Sequence, residues 1–157
     1  MVLGCKYPDT LSSMHDLAVV LHRQGKYLEA RQLHRQVLEL KETVLGREHL
    51  NTVKCMNDLA MVLVSQGKYV EAEQMHRQAL EPMETLLGRE HPDTLASMNN
   101  LAVVLASQGK YLEAEKVQRQ GWMMGQKVLG HMHPNTLSSM NNLAVVLAHQ
   151  GKYLEAE

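Results

Sequence analysis

The sequence contains no phenylalanine, and aromatic residues make up only 4% of its 157 residues. Lys and Arg (16) nearly balance Asp and Glu (17), so the chain lacks the basic surface that nucleic-acid binding requires. Its two cysteines, Cys5 and Cys55, form neither a CxxC pair nor a disulfide framework, which indicates reduced thiols. No apolar run approaches the ~20 residues needed to span a bilayer. We therefore expect a soluble, cytoplasmic protein, and the narrow residue vocabulary is typical of a repeated sequence.

One phrase recurs four times along the chain at a fixed interval of 42 residues. It reads LAVVLHRQGKYLEA from Leu17, and close variants begin at Leu59, Leu101 and Leu143. The last two copies are nearly identical over their shared positions. Such identity indicates either recent duplication or a designed consensus.

The interval divides residues 1–157 into a single repeat array. Residues 7–48, 49–90 and 91–132 form three full repeats, and residues 133–157 form part of a fourth. Residues 1–6 match the tail of a preceding repeat. The array is therefore expected to begin and end in mid-repeat.

Each repeat is predicted to form two helices that end at glycines. In the third repeat, Pro92 suits the first helical position, and Leu95 and Met98 begin an apolar series at helical spacing. Gly109 is expected to end the first helix and Gly130 the second. No Val/Ile-rich alternating segment predicts a strand, so the predicted fold class is all-α, an α-solenoid of antiparallel helix pairs.

The repeats resemble tetratricopeptide repeats (TPRs) over essentially the whole chain. The family's pattern of large, small, glycine and aromatic positions is matched in the second repeat by Met56, Leu59, Ala60, Leu63, Gly67, Tyr69, Ala72, His76 and Ala79. The period is 42 rather than the common 34. It resembles the long repeats of kinesin light chains and the TPR tails of nucleotide-binding receptors in fungi and bacteria. The resemblance implies a right-handed superhelix that binds protein partners and has no catalytic activity.

The resemblance also implies a concave groove lined by the first helix of each repeat. Its polar positions carry amides, which offer donors and an acceptor to the backbone of an extended peptide; they are Asn57, Asn99, Asn100, Asn141 and Asn142. Its apolar floor would comprise Val19, Met61, Val103 and Val145, with Lys54 and Arg23 as the groove cations. A peptide or a helix is the expected occupant. In the alternative interpretation, the Asn side chains cap or pair with neighbouring helices.

Other kinds of site are not predicted. A clamp for a C-terminal carboxylate is a poor match, because Asp16 and Asp58 would repel the ligand. His131 and His133 form the only close histidine pair and lack further ligands, so no metal site is predicted. The sequence has no P-loop, GxSxG or HExxH motif, and we expect neither a cofactor nor an enzyme.

Two sets of residues are assigned to the core. The first is a methionine series at the repeat interval, comprising Met14, Met56, Met98 and Met140. The second is His34 and His76, which occupy the aromatic slot of the second helix. Both sets follow the predicted buried face.

The second helices of two repeats contain residues that weaken helices. Pro82 lies well past its helix start, so it predicts a kink or an early end there. Gly121 and Gly125 each cost ~1 kcal/mol relative to Ala. Trp122, between them, is expected to pack against the fourth repeat.

The end of the array predicts self-association. Leu143, Ala144, Leu147 and Tyr153 would have no complete second helix over them. Open solenoid ends can stack chain on chain or exchange helices. The sequence thus leaves two functions open, an interaction scaffold with a peptide or helix in its groove, or a structural array that self-associates without a dedicated ligand.

Overall fold

The computed structural model describes residues 7–152, which contain seven α-helices and no strand. The helices are α1 (Tyr7–Arg23), α2 (Tyr27–Leu45), α3 (Leu50–Ser65), α4 (Tyr69–Leu87), α5 (Pro92–Ser107), α6 (Tyr111–Val128) and α7 (Pro134–His149). The prediction of two helices in each full repeat is confirmed. The expectations for residues 1–6, Cys5 and Tyr153 lie outside the described residues.

Histidines begin the first helix of three successive repeats. The Nδ1 atom of His49 accepts a hydrogen bond from the backbone N–H of Asn51 over 3.2 Å. His91 and His133 cap α5 and α7 in the same way. These caps satisfy an N–H group that has no partner within the helix.

Glycines in the left-handed region end the helices. After α5, the N–H of Lys110 bonds to the carbonyl of Leu105 over 2.9 Å, across Gly109 at φ 76°. This is the six-to-one bond of a Schellman motif, in which the positive φ favours glycine. Two sets of glycines alternate along the chain, one at φ 71–76° (Gly25, Gly67, Gly109, Gly151) and one at φ 87–91° (Gly46, Gly88, Gly130).

The chain forms two compact units, Met1–Gln78 and Ala79–Glu157. In the first unit α1 packs on α2 and α2 on α3, and Ala18 and Ala30 are completely buried. In the second unit α6 packs against both α5 and α7, and its core contains Leu101, Leu105, Ala114 and Val146. Small residues at such positions let the helix axes approach closely.

Neither Pro82 nor the glycines of the third repeat end their helices. Helix α4 continues past Pro82 to Leu87, so the early end is wrong there, whereas a kink remains a prediction. Met83, directly after the proline, is 2% exposed, and its burial offsets part of the cost of the lost backbone hydrogen bond. Helix α6 likewise continues through Gly121 and Gly125.

The predicted core is correct in the middle of the array and wrong at α7. Met56 and Met98 are almost fully buried, and so are His34 and His76. Met14 is only half-buried. Met140 is 48% exposed, because α7 packs against α6 and α5 and no described helix follows to cover its other face.

The expectation that Leu143 and Leu147 lie open is also wrong. They are 6% and 2% exposed, since they face the same side as Val146, which packs in the core. Ala144 is half-buried. Trp122 is half-buried too, and its packing against the fourth repeat remains a prediction.

Candidate functional site

The predicted groove residues lie on α1, α3, α5 and α7, the first helices of their repeats. Their apolar members are accessible rather than core residues: Met61 and Val103 are each 38% exposed, Val145 is 49% exposed, and Val19 is half-buried. Lys54 and Arg23 are exposed. Each repeat therefore presents an apolar side chain at the expected position on its first helix.

The amides of the second unit form a hydrogen-bonded network. Asn99 Oδ1 accepts from Gln118 Nε2 over 2.7 Å and from Asn142 Nδ2 over 3.0 Å. Gln118 Nε2 also donates to the backbone oxygen of Ser139 over 3.0 Å. The network joins α5, α6 and α7, so these asparagines pair with neighbouring helices.

An equivalent pair lies in the first unit. His76 donates from Nδ1 to Asn57 Oδ1 over 2.9 Å. Burial lowers the pKa of His76 to about 4, so its ring is neutral at pH 7. The pairing interpretation thus describes Asn57, Asn99 and Asn142. Of the remaining predicted amides, Asn141 is exposed and Asn100 is half-buried, and peptide contact by any of the five remains a prediction.

A pocket of about 230 Å³ in the second unit brings three of the predicted groove residues together. Val103 from α5 and Val145 from α7 line it beside the Asn142 amide. The rings of Tyr111 and His149, also in the lining, stack with centroids 5.2 Å apart and planes 7° apart. A largely apolar hollow with the amides of Asn142 and Gln118 in its lining suits a single apolar side chain next to a peptide backbone.

A carboxylate fixes the polar edge beside Tyr111. Glu115 Oε2 accepts from Gln150 Nε2 and from Lys152 Nζ, each over 2.9 Å, and Arg119 Nε donates to its other oxygen over 2.9 Å. These bonds, that of Lys152 foremost, lower the pKa of Glu115 to about 2. The interaction ties the residues after α7 to α6.

The first unit contains a second pocket, of about 340 Å³. Its charged lining includes Asp16, Lys41 and Lys54, so the predicted cation Lys54 and a carboxylate line the same pocket. The pocket therefore combines side chains of both charge signs, and the absence of a carboxylate clamp stays a prediction.

Three potential metal ligands meet between α1, α2 and α3. One ring nitrogen of His15, one of His34 and the Sγ atom of Cys55 all lie within 4.8 Å of one another. Burial, together with the charge of nearby His15, lowers the pKa of His34 to about 4, and burial raises the pKa of the Cys55 thiol to about 11. The Nε2 atom of His15 also lies 3.5 Å from Oδ2 of Asp58.

Sequence reasoning missed this trio because its members lie in two repeats and three helices. It assigned His34 to packing in the core. A comparison of the repeats at the interval of 42 would have pointed to it, since His15 and Cys55 replace the Asn and Ser found at their equivalent positions, whereas His34 has the same residue type as its equivalent His76.

The described residues thus define the class of protein, an all-α helical-repeat solenoid. Tetratricopeptide repeat families match residues 9–85, 94–135 and 136–157. The chain belongs to the TPR family and is kinesin light chain-like. TPR proteins generally mediate protein–protein interactions and are typically non-catalytic scaffolds.

Three solved structures illustrate the likeness. A protein of Podosopora anserina that carries the name kinesin light chain, with nearly identical TPR-like repeats, is 30% identical with TM-score 0.87, covering 95% of this chain and 71% of its own. A point variant of that protein is also 30% identical, with a TM-score of 0.86, and the match covers 99% of this chain and 73% of the variant's chain. BtubC (BKLC) from P. vanneervenii shares the fold at 23% identity and TM-score 0.86, covering 93% of this chain and 58% of its own. No curated protein sequence matches significantly.

Within the part of the chain that the structure describes, no helix has the length and apolar character needed to cross a membrane.

Proposed function

We propose that this protein is a non-catalytic, cytoplasmic scaffold that binds a peptide or helix along the first helices of its repeats. The observation that carries the proposal is the pocket formed by Val103, Asn142 and Val145. Its apolar walls can take one anchoring side chain of the ligand. Val103 and Val145 are 38% and 49% exposed, so they are surface residues rather than part of the core. The buried free thiol of Cys55 agrees with a reducing compartment.

The asparagines act in this proposal mainly as supports. Asn99 holds Asn142 in place through its Oδ1 atom, so the amide at the pocket edge has a fixed orientation. A fixed amide costs less conformational entropy when a ligand binds than a mobile one. Asn100 and Asn141 are the amides proposed to reach the ligand backbone.

The test is selection of ligands from a random peptide display library. Peptides enriched on the wild-type protein are then measured against the double variant Val103→Glu, Val145→Glu. We expect that variant to lose binding at least tenfold, because two carboxylates enter the apolar walls. Leu112→Glu is the matched control, since Leu112 is 75% exposed in the same unit and does not line the pocket. No enrichment on the wild type, or equal binding by the double variant, would reject the proposal.

A second candidate function is assembly of the chain with itself. Leu137 and Met140 on α7 are 39% and 48% exposed, whereas their equivalents Leu95 and Met98 on α5 are 3% and 2% exposed. An apolar face that is covered in one repeat and open in another favours docking of a second copy. Sedimentation of the protein and of Met140→Glu over a wide concentration range tests this. A monomer at every concentration for the wild type would rule it out.

A further inference from the structure

The repeats provide an internal comparison for the trio of His15, His34 and Cys55. The position of His15 carries Asn57, Asn99 and Asn141 in the other repeats, and that of Cys55 carries Ser97 and Ser139. The position of His34 carries His76 and then Gln118. The three equivalent sets are thus His15, His34 and Cys55; Asn57, His76 and Ser97; and Asn99, Gln118 and Ser139. Only the first of these sets carries an imidazole or thiol group at all three positions, and these are the ligand types that Zn²⁺ prefers.

The polar atoms of this set also differ in their hydrogen bonds. In the second unit, Gln118 donates to Asn99 and to the backbone oxygen of Ser139. In the first unit, His34 is 1% exposed, and its buried Nδ1 atom has no hydrogen-bond partner. The Nδ1 atom of His15 is likewise buried without a partner. A buried nitrogen without a partner costs free energy, which a bound cation would recover.

We propose that His15, His34 and Cys55 form a binding site for Zn²⁺ between α1, α2 and α3. In a tetrahedral site with bonds of about 2.0–2.3 Å the ligand atoms stand about 3.4 Å apart, so the present spacing needs to contract by about 1 Å. Side-chain torsions supply such a shift. Binding forms a zinc–sulfur bond and releases the Cys55 thiol proton to solvent.

Asp58 and the partial exposure of His15 bear on how the site would hold and admit the cation. Asp58 faces the Nε2 atom of His15 at 3.5 Å, so a proton on Nε2 leaves Nδ1 as the donor atom toward the cation. The His15 side chain is 25% exposed, which provides a route of entry and leaves the fourth position to a solvent molecule. Both His34 and Cys55 are buried behind it.

The experiment titrates Zn²⁺ into chelator-treated full-length protein by calorimetry and records Co²⁺ absorption spectra in parallel. We expect one site per chain and a sulfur-to-cobalt charge-transfer band. The variants His15→Asn, His34→Gln and Cys55→Ser install residues that this chain uses at equivalent positions, so they retain the fold, which circular dichroism checks. Each is expected to abolish saturable binding, and Cys55→Ser also removes the charge-transfer band.

Two further variants distinguish this site from adventitious histidine binding. Asp58→Asn, which again copies an equivalent residue, is expected to weaken Zn²⁺ about tenfold. His76→Gln, a buried histidine outside the trio, is expected to leave both stoichiometry and affinity unchanged. Absence of binding to the wild type, absence of a sulfur band, or binding that survives Cys55→Ser and His34→Gln would overturn the proposal.

Discussion

Gln118 donates from Nε2 to Asn99 Oδ1 over 2.7 Å, and these two residues occupy the positions that His34 and His15 hold in the first repeat. The same pair of positions is therefore a hydrogen-bonded amide pair in one repeat and a pair of imidazoles in another. In the first repeat the rings of His15 and His34 contact edge to face, with centroids 5.5 Å apart. One interior slot of the repeat thus accepts different polar chemistry without a change of fold.

The amide network should contribute measurably to stability. Gln118→Met keeps most of the side-chain volume but removes the donor to Asn99 and to the Ser139 oxygen, and Gln118 is 1% exposed. We expect the free energy of unfolding to fall by about 1–3 kcal/mol, the cost of buried acceptors that lose a donor. Urea unfolding measures it. The exposed Gln120→Met is the control and should lie within about 0.5 kcal/mol of wild type.

The two interior glycines of α6 should respond differently to alanine. A Cβ atom at Gly121 meets no atom within 4 Å, so Gly121→Ala should raise stability by about 0.5–1 kcal/mol through helix propensity. A Cβ at Gly125 would stand 3.0 Å from Thr136 Oγ1 and 3.7 Å from its Cα. Gly125→Ala should therefore gain less or lose stability. Thermal melts that rank Gly125→Ala above Gly121→Ala would contradict this.

The neutral His76 should make stability depend on pH. Its pKa is about 4 in the folded chain against about 6.5 unfolded, so the unfolded state binds more protons between these values. The stability linked to His76 is therefore fully present above pH ~6.5. As the pH drops toward 4, the free energy of unfolding falls by at most about 3 kcal/mol on account of this residue. His76→Gln, which can still donate to Asn57, should flatten the curve in that window, whereas the exposed His131→Gln should not. Parallel curves for His76→Gln and wild type would refute the prediction.

Glu115 should act in a separate and lower pH window. Its folded pKa of about 2 lies below the ordinary value of 4.5, so its contribution is present above pH ~4.5 and is lost as the pH falls toward 2. Glu115→Gln should cost about 1–2 kcal/mol at pH 7, because charge-assisted bonds to Lys152 and Arg119 become neutral ones. The exposed Glu81→Gln is the control. Equal unfolding free energies for wild type and Glu115→Gln at pH 7 would contradict the assignment.

Periodicity predicted the helices and the middle of the core well. The interval of 42 and the helical spacing assign Met56 and Met98 correctly to the core, where both are almost fully buried. Met140 occupies the same position in sequence but lies exposed, since burial depends on what covers a face and not on the residue itself. The early helix end expected at Pro82 follows from the local cost of a proline, part of which the burial of Met83 offsets.

The candidate sites were less predictable. The pocket beside Val103 depends on how α5 and α7 are placed on α6, which no single repeat encodes. The trio of His15, His34 and Cys55 joins residues up to 40 positions apart. Motif reasoning looks for close spacing along the chain, so it weighed His131 and His133 and overlooked ligands that only a comparison between repeats brings into view.

The two alternating sets of left-handed glycines have a consequence for how such an array changes in length. Every turn of one set has nearly the same φ angle, and no atom lies near the missing Cβ. If recombination joins the codons of two turns of one set, for instance those of Gly67 and Gly109, the helix on one side is followed by a turn of the same backbone conformation as its own. Such an exchange inserts or removes one whole 42-residue unit without creating a new junction, so the gene can lengthen or shorten in steps that the backbone accepts.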